Sequence, residues 1–294
     1  MILVTGSTGF VGRHIVRELC SRGKEVRCLA RTSSDLGLLR GFDVEICSGD
    51  VSDQSSLERA AQGVYTVIHL VAIIREMRQA TFQRVNYWGT KNMVQAAKKA
   101  GVERIVYMSN LGAGPDRRFP LLYSKWQGEE EVRNSGVNYT IFRPSVMFGE
   151  GDGFVTVLAS IIRRLPLIPV IGSGNTRFQL ISVEDIATCV AQTLEEQQTV
   201  NQTIPLGGPE YLAYEEIIDM ITRELKVRRL KMHIPIPLMR PIVWAMERLF
   251  SRPPVTSGQL AMLNQDNITD PDAVERVFGF KPISLRERIG SIVA

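Results

Sequence analysis

The chain has 294 residues, 44% of them hydrophobic and 22% charged. That composition excludes a disordered or fibrous protein and suits one large α/β unit with an appended part. The net charge of +4 is mild and spread out, with no zinc spacing, aromatic–basic ladder or helix-turn-helix pattern, so nothing points to nucleic acid or a metal.

The first expected strand, Ile2 to Thr5, is apolar and β-branched, as a buried parallel strand should be. A strand beginning at Ile2 leaves no room for a signal peptide. It runs straight into Gly6, Gly9 and Gly12, and Arg13 to Leu19 continues with helical periodicity. Strand, glycine turn and helix N-terminus together make a pyrophosphate site, because free backbone N–H groups and the helix dipole both favour an anion there. An ordinary tight turn is the competing reading. The second strand, Glu25 to Ala30, ends in Arg31-Thr32-Ser33-Ser34. An acidic residue at this point would bind the ribose hydroxyls of NAD(H), whereas an Arg suits the 2′-phosphate of NADP(H). NADP(H) is therefore expected in preference to NAD(H), with Asp35 a weak competitor in the following loop.

Strands are next expected at Val44–Cys47, Val64–Val71, Arg104–Met108 and Tyr139–Phe142. Helices are expected at Ser55–Gln62, Ala80–Ala100 and Ser124–Ser135. Such alternation predicts an α/β fold, a doubly wound parallel sheet of Rossmann type. From about Gly149 the rhythm loosens and prolines accumulate, Pro253 and Pro254 last among them. The expected division is a dinucleotide-binding domain over 1–150, completed by parts of 176–208, and a smaller, mostly helical substrate or interaction lobe over 151–294. The Phe178 strand and the helix of Asp185 are expected to pack on the sheet. Helices at Phe154–Leu165, Val183–Glu195 and Tyr214–Leu225 are clear. Ile234 to Phe250 is apolar but interrupted by prolines and charges, so it is not a membrane span. It can lie on a membrane surface or cover the lobe's core. Cys20, Cys28, Cys47 and Cys189 form no pair pattern and read as buried free thiols, which suits the cytoplasm or an organelle's soluble face.

Several motifs carry a family resemblance. Thr5-Gly6-Ser7-Thr8-Gly9-Phe10-Val11-Gly12 opens the series. Gly49-Asp50-Val51, His69-Leu70-Val71-Ala72, Val85-Asn86-Tyr87-Trp88-Gly89-Thr90-Lys91-Asn92 and Met108-Ser109-Asn110 follow in order. Phe142-Arg143-Pro144-Ser145-Val146-Met147-Phe148-Gly149 and Ile181-Ser182-Val183-Glu184-Asp185-Ile186-Ala187 complete it. Over residues 1 to 230 the chain resembles the extended and atypical short-chain dehydrogenases/reductases. Pro254 to Leu260 and Leu263 to Asn267 are similar to one atypical branch, that of the complex I accessory nucleotide-binding subunit and its stand-alone bacterial and plastid relatives. The resemblance implies that Asp50 and Val51 meet the adenine. Leu70, Val71, Ala72, Asn86, Met108 and Ser109 then lie along the cofactor, and Pro144, Ser145 and Val146 lie near the nicotinamide.

The catalytic pattern is broken. Active members place a Tyr four residues before a Lys, on one helix face, with a Ser to polarise the substrate oxygen. Here Lys125 matches the Lys, since Gly128-Glu129-Glu130 follows it, but four residues earlier stands Leu121. Tyr123 is two residues away and reaches the site only if the helix starts after it. Ser109 either touches the nicotinamide or substrate, or is structural. His14 reads as a surface residue, His69 as packed, and His233 as preceding a proline-rich stretch. Arg75, Arg78 and Arg84 sit where an acidic ligand or bare solvent could meet them. Gly151-Asp152-Gly153 and Gly172-Ser173-Gly174-Asn175, with Arg177 nearby, read as cleft loops or ordinary turns.

Two functions stay open. One is a reductase passing hydride from NADPH to a small hydrophobic carbonyl, alkene or quinone-like molecule in a cleft between the lobes. The other is a catalytically inactive dinucleotide-binding protein, structural or redox-sensing, within a protein complex. A nucleotide-sugar epimerase is disfavoured by Leu121.

Overall fold

A computed structural model describes residues 1–77, 79–250 and 255–293, so Arg78, Pro253 and Pro254 lie outside the described residues. Two compact units form: Met1–Pro144 with Val183–Pro205, and Ser145–Ser182 with Leu206–Ala294.

The first unit is built on β1 (Ile2–Thr5), β2 (Val26–Ala30), β3 (Val44–Ser48), β4 (Thr66–His69), β5 (Arg104–Met108) and β6 (Asn138–Pro144). With Gln202–Leu206 they make a seven-stranded sheet in the order β3-β2-β1-β4-β5-β6-(202–206), and the six labelled strands pair in parallel. β1 and β4 are buried along their whole length, as the apolar Ile2-Leu3-Val4 and Val67-Ile68 at their centres require. The order reverses between β1 and β4, and the crevice beyond their carboxyl ends is where such sheets bind ligands.

Four helices are α1 (Phe10–Ser21), α2 (Gln54–Ala61), α3 (Gly89–Lys99) and α4 (Pro120–Arg133). α1 packs on the helix Val183–Thr193, while α2, α3 and α4 pack in series. A core of Leu3, Leu57, Val67, Met93, Ile105 and Ile141 fills one side. Each such side chain contributes roughly 1.5–3 kcal/mol by leaving water.

Two elements differ from the periodicity. The expected helix over 80–100 begins as a π-helix at Gln83–Trp88 and only then becomes α3. α4 starts at Pro120, four residues earlier than expected. Proline suits a first helical turn because its fixed φ is already helical and no N–H is wasted.

In the second unit, helices Val155–Arg164, Tyr214–Glu224 and Leu285–Val293 pack together around Phe148, Leu158, Ile162, Ile217, Ile221 and Ile289. Three two-stranded ribbons join them. Arg177–Phe178 pairs antiparallel with Leu212–Ala213. Leu167–Ile171 pairs parallel with Leu230–Ile234. The helix Ile236–Leu249 packs on Ser257–Met262, burying Met239, Val243 and Leu260.

Candidate functional site

Beyond the end of β1 the chain turns on Gly6, whose φ of +73° disfavours any side chain. Gly6 lies against the backbone of β4's exit, for a Cβ there would sit 3.2 Å from both the Leu70 carbonyl carbon and the Val71 nitrogen. At Gly12 a Cβ would lie 2.1 Å from the Gly6 oxygen and 2.7 Å from the Ser7 Cα, so only glycine lets α1 close onto the turn. Gly9 caps α1 with no side-chain hydrogen bond, and the first turn holds no acid. The leading N–H groups and the positive end of the dipole are thus left for an anion. Ser7 is buried and donates to the Leu29 carbonyl at 3.4 Å, whereas Thr8, Phe10 and Val11 are half-buried along the loop.

Arg31 follows β2 directly and is exposed, as are Thr32 and Ser33. Its carbonyl accepts the Ser34 N–H at 2.9 Å, closing a turn. Asp35 is engaged elsewhere: its Oδ1 accepts the Gly37 N–H at 2.8 Å and caps a 3₁₀ turn. Asp50 accepts from the Ser52 N–H and hydroxyl at 2.8 and 2.6 Å. Val51 is buried, and its carbonyl accepts from Asn92 Nδ2 at 2.9 Å.

A buried polar chain lies under the glycine turn. Thr90 Oγ1 donates to the Asn86 carbonyl at 2.6 Å, so toward His69 Nε2, 3.2 Å away, it accepts. That assigns the proton to Nε2 and leaves Nδ1 to accept from Thr5 Oγ1 at 2.8 Å. Burial, with the Lys125 charge nearby, lowers the His69 pKa to about 3 and keeps the ring neutral. The ring stacks on Tyr107 at 5.9 Å. Burial likewise lowers Lys125 to about 7, against an upward pull from Glu129. Lys125 is 1% exposed; its Nζ donates to the Met108 carbonyl at 2.5 Å and stands 4.4 Å from the centre of the Tyr107 ring. An ammonium has three donors, and one accepting carbonyl does not satisfy them. Ser109 beside it is buried, with a hydroxyl that has no hydrogen-bond partner. Asn86 sits in the π-helix, fully buried. Its side chain accepts the Ile73 N–H at 2.8 Å and donates to the Ile73 carbonyl and to Ser124 Oγ, both at 3.1 Å. This clamps the segment after Leu70, Val71 and Ala72 to α4.

Because α4 starts at Pro120, the condition that would swing Tyr123 toward Lys125 is not met. Tyr123 instead lines a pocket of about 410 Å³ with Glu76, Phe82, Gln83, Arg117 and Gln127, and the Arg117 guanidinium stands 5.5 Å over its ring. Leu121 has no acidic proton. Pro144 ends β6, and its carbonyl accepts the Leu111 N–H at 2.9 Å. Ser145 and Val146 fall in the second unit. There Ser145 Oγ donates to the Gln179 carbonyl, and the Val146 N–H donates to Asn267 Oδ1 at 2.9 Å.

Other expectations are corrected. His14 is buried rather than superficial, edge-on to Phe10 and 2.9 Å from an Arg17 nitrogen, because α1 turns that face onto its neighbours. Asp152 is a buried cap that accepts the N–H groups of Gly149, Phe154 and Thr156, as in an ordinary turn. Arg177 pairs with Asp266 at 2.6 Å and His233 with Glu215 at 3.1 Å. Arg84 donates to the Gln79 carbonyl. All four thiols are free, but Cys20 and Cys47 are only half-buried. Buried Glu129, which holds Arg133 and Arg143 at 2.7 and 2.6 Å, has no signature in the sequence beyond its i,i+4 spacing to Arg133. Among the described residues no group of three or more His, Cys, Asp or Glu is placed to hold a metal, and no helix is long and apolar enough to cross a membrane.

Known proteins are similar to this chain. A ceramide reductase of Caulobacter vibrioides is 34% identical over 187 residues, covering 64% of this chain and 58% of that protein, so the match spans less than two thirds of the relative's length. Subunit 9 of the mitochondrial NADH dehydrogenase (ubiquinone) 1 alpha subcomplex of Arabidopsis thaliana is 26% identical over 280 residues, 92% of this chain and 70% of that one. The photosystem II assembly factor Ycf39 of Guillardia theta is 32% identical over 222 residues, 76% and 69%. Among solved structures, gox2253 superposes with a TM-score of 0.81 at 26% identity over 100% of this chain and 96% of that one. The NADPH complex of the Escherichia coli quinone oxidoreductase QOR2 superposes at 0.80 over 99% of each chain, but at 17% identity that likeness speaks for the fold alone. The family model for NAD dependent epimerase/dehydratases matches residues 2–207, and the chain belongs to that NAD(P)-binding family.

Proposed function

We propose that this chain binds NADP(H) and works as an NADPH-dependent oxidoreductase on a hydrophobic quinone-like, alkene or carbonyl substrate. The observation that carries the reading is a glycine cradle at an uncapped α1 N-terminus, with two buried groups of the same unit, Lys125 Nζ and the Ser109 hydroxyl, holding donors to spare. Buried donors without partners are costly, and a ligand rich in oxygens would satisfy them.

The Gly6–Gly12 turn takes the pyrophosphate. The exposed Arg31 guanidinium, which has no hydrogen-bond or ion-pair partner among the described residues, takes the 2′-phosphate with Thr32 and Ser33, and Asp35 is already spent on its own turn. Asp50 and Val51 hold the adenine. Lys125 offers its remaining N–H groups to the nicotinamide ribose, and Asn86 fixes the wall after β4. When bound, NADPH supplies a hydride. With Leu121 in the phenol's place, no tyrosine stands one helical turn before Lys125 to supply the matching proton. That favours acceptors whose reduced form is a stable oxyanion. A quinone gives a phenol-like anion, about pKa 10 as in tyrosine, which water can protonate, whereas a simple ketone needs an acid in the transition state. The relative named a ceramide reductase supports the reductase reading.

Leu121 also favours a second reading, a dinucleotide held for structure or redox sensing, and the relatives named as respiratory-chain subunits support it. The test is to identify the dinucleotide that co-purifies, then follow its oxidation by stopped flow against quinones and apolar enones. Substrate-dependent oxidation of bound NADPH is expected. Tightly bound NADPH that no acceptor oxidises would overturn the enzyme reading in favour of the second.

A further inference from the structure

We propose that the helix Ile236–Leu249 and the ribbon it rests on dock onto the surface of an anionic lipid bilayer. The helix buries only Met239 and Val243. On its other side Leu238, Ile242 and Leu249, spaced four and seven apart, stand 61%, 47% and 79% exposed in one stripe, and Phe250 follows at 55%. Trp244 is 54% exposed beside that stripe. This is more apolar surface than a helix covering a core would leave in water.

The supporting ribbon continues the pattern. Side chains alternate along Leu230–Ile234, and its parallel register sets Leu230 beside Leu167 and Ile234 beside Ile171. Ile234 and Ile171 carry the helix, while Leu230 and Met232 further along the same face remain exposed at 75% and 44%. The opposite ribbon face takes the acids: Lys231 meets Glu215 and Asp219 at 2.6 and 2.8 Å, and His233 meets Glu215.

Charge decides the occupant. Residues 226–250 hold six Lys and Arg against one Glu, and of the six only Lys231 meets acids, Glu215 and Asp219, among the described residues. That Glu247 is engaged by the Ser257 N–H and hydroxyl at 2.8 and 2.7 Å. Lys226, Arg228, Arg240 and Arg248 have no acidic partner among the described residues; Arg248 lies 3.6 Å over the Trp244 ring. Apolar side chains that insert, a tryptophan at their border and long cations with free heads are the make-up of an interfacial helix on anionic lipid. A self-association face would gain nothing from so one-sided a charge, which two copies would double.

The test is flotation of the full chain with vesicles of phosphatidylcholine alone and of phosphatidylcholine with phosphatidylglycerol, scored without any turnover. Binding to the anionic vesicles that weakens with added salt is expected. Arg228→Gln/Arg240→Gln/Arg248→Gln should weaken it about a hundredfold, and Leu238→Ser/Leu249→Ser should abolish insertion, read as lost quenching of Trp244 by brominated lipid in a Trp88→Phe/Trp126→Phe background. All changed residues on the face are exposed, and an unchanged unfolding temperature checks that the fold is kept. Failure to float with anionic vesicles at low salt, equal binding to neutral ones, or binding indifferent to both sets of changes overturns the proposal; capture of an acidic protein with no vesicle binding would assign the face to that partner instead.

Discussion

Gly12→Ala isolates the feature on which the cofactor reading depends. The new methyl would stand 2.1 Å from the Gly6 oxygen, against an ordinary contact of 3.4 Å or more, so α1 and the turn must part by over 1 Å. All the obstructing atoms are backbone, so no rotamer change relieves them. Overpacking of this kind costs about 1–3 kcal/mol, offset by up to about 1 kcal/mol because alanine is the better helix former. The unliganded protein should therefore unfold only a few degrees lower. Binding should suffer more. Displacing the α1 N–H groups by an ångström loses at least one hydrogen bond to a charged phosphate, about 1.5–3 kcal/mol, or roughly tenfold or more in Kd. Gly9→Ala is the comparison, because its methyl meets only the Gly6 oxygen, at 3.2 Å, and should lower the unliganded unfolding temperature less than Gly12→Ala does. The assays are thermal unfolding without ligand and titration of NADPH fluorescence. If Gly12→Ala melts and binds NADPH as the parent does, the close approach is not what shapes the site.

Other outcomes follow from single residues. Arg31→Asp should weaken NADPH binding at least about tenfold, as expected for losing a charge-assisted pair, while NADH binding changes little; equal loss for both would refute the 2′-phosphate role. Between pH 7 and 10.5 the unfolded chain carries a proton on Lys125 that the folded chain lacks, so stability rises with pH there by up to about 1.4 kcal/mol per unit. Lys125→Met should flatten that rise and weaken NADP(H) binding; parallel melting curves against pH for the two proteins would contradict the buried, easily deprotonated lysine. Asn86→Leu strands the Ile73 N–H and carbonyl and should cost about 2–4 kcal/mol, read from the denaturation midpoint. Tyr123→Phe should leave any measured NADPH oxidation rate unchanged, since α4 already includes Tyr123 and sets it on another face than Lys125; a large fall would restore Tyr123 as the acid.

The features legible along the chain are local. An apolar run ending in three glycines must turn tightly, Arg31 must follow the second strand, and Leu121 must stand one helical turn before Lys125, whatever the rest of the chain does. The strand–helix alternation was equally plain, because buried parallel strands and amphipathic helices write their periods into neighbouring residues. Tertiary structure decided what depends on distant partners. Pro120 rather than Ser124 opens α4, and the π-turn at Gln83–Trp88 carries Asn86 inward to meet Ile73 and Ser124. Thr5, His69, Thr90 and Tyr107 come from four separate elements and meet only when the sheet and α3 assemble, so no spacing announced them. Helical period shows which residues share a face but not what covers it, so His14 reads as superficial from the sequence and proves buried, while the apolar face of Ile234 to Phe250 reads equally as a cover or a surface until the fold leaves Leu238, Ile242 and Leu249 exposed. Hydrophobic pattern tells which side chains seek cover; only the folded chain shows which of them found it.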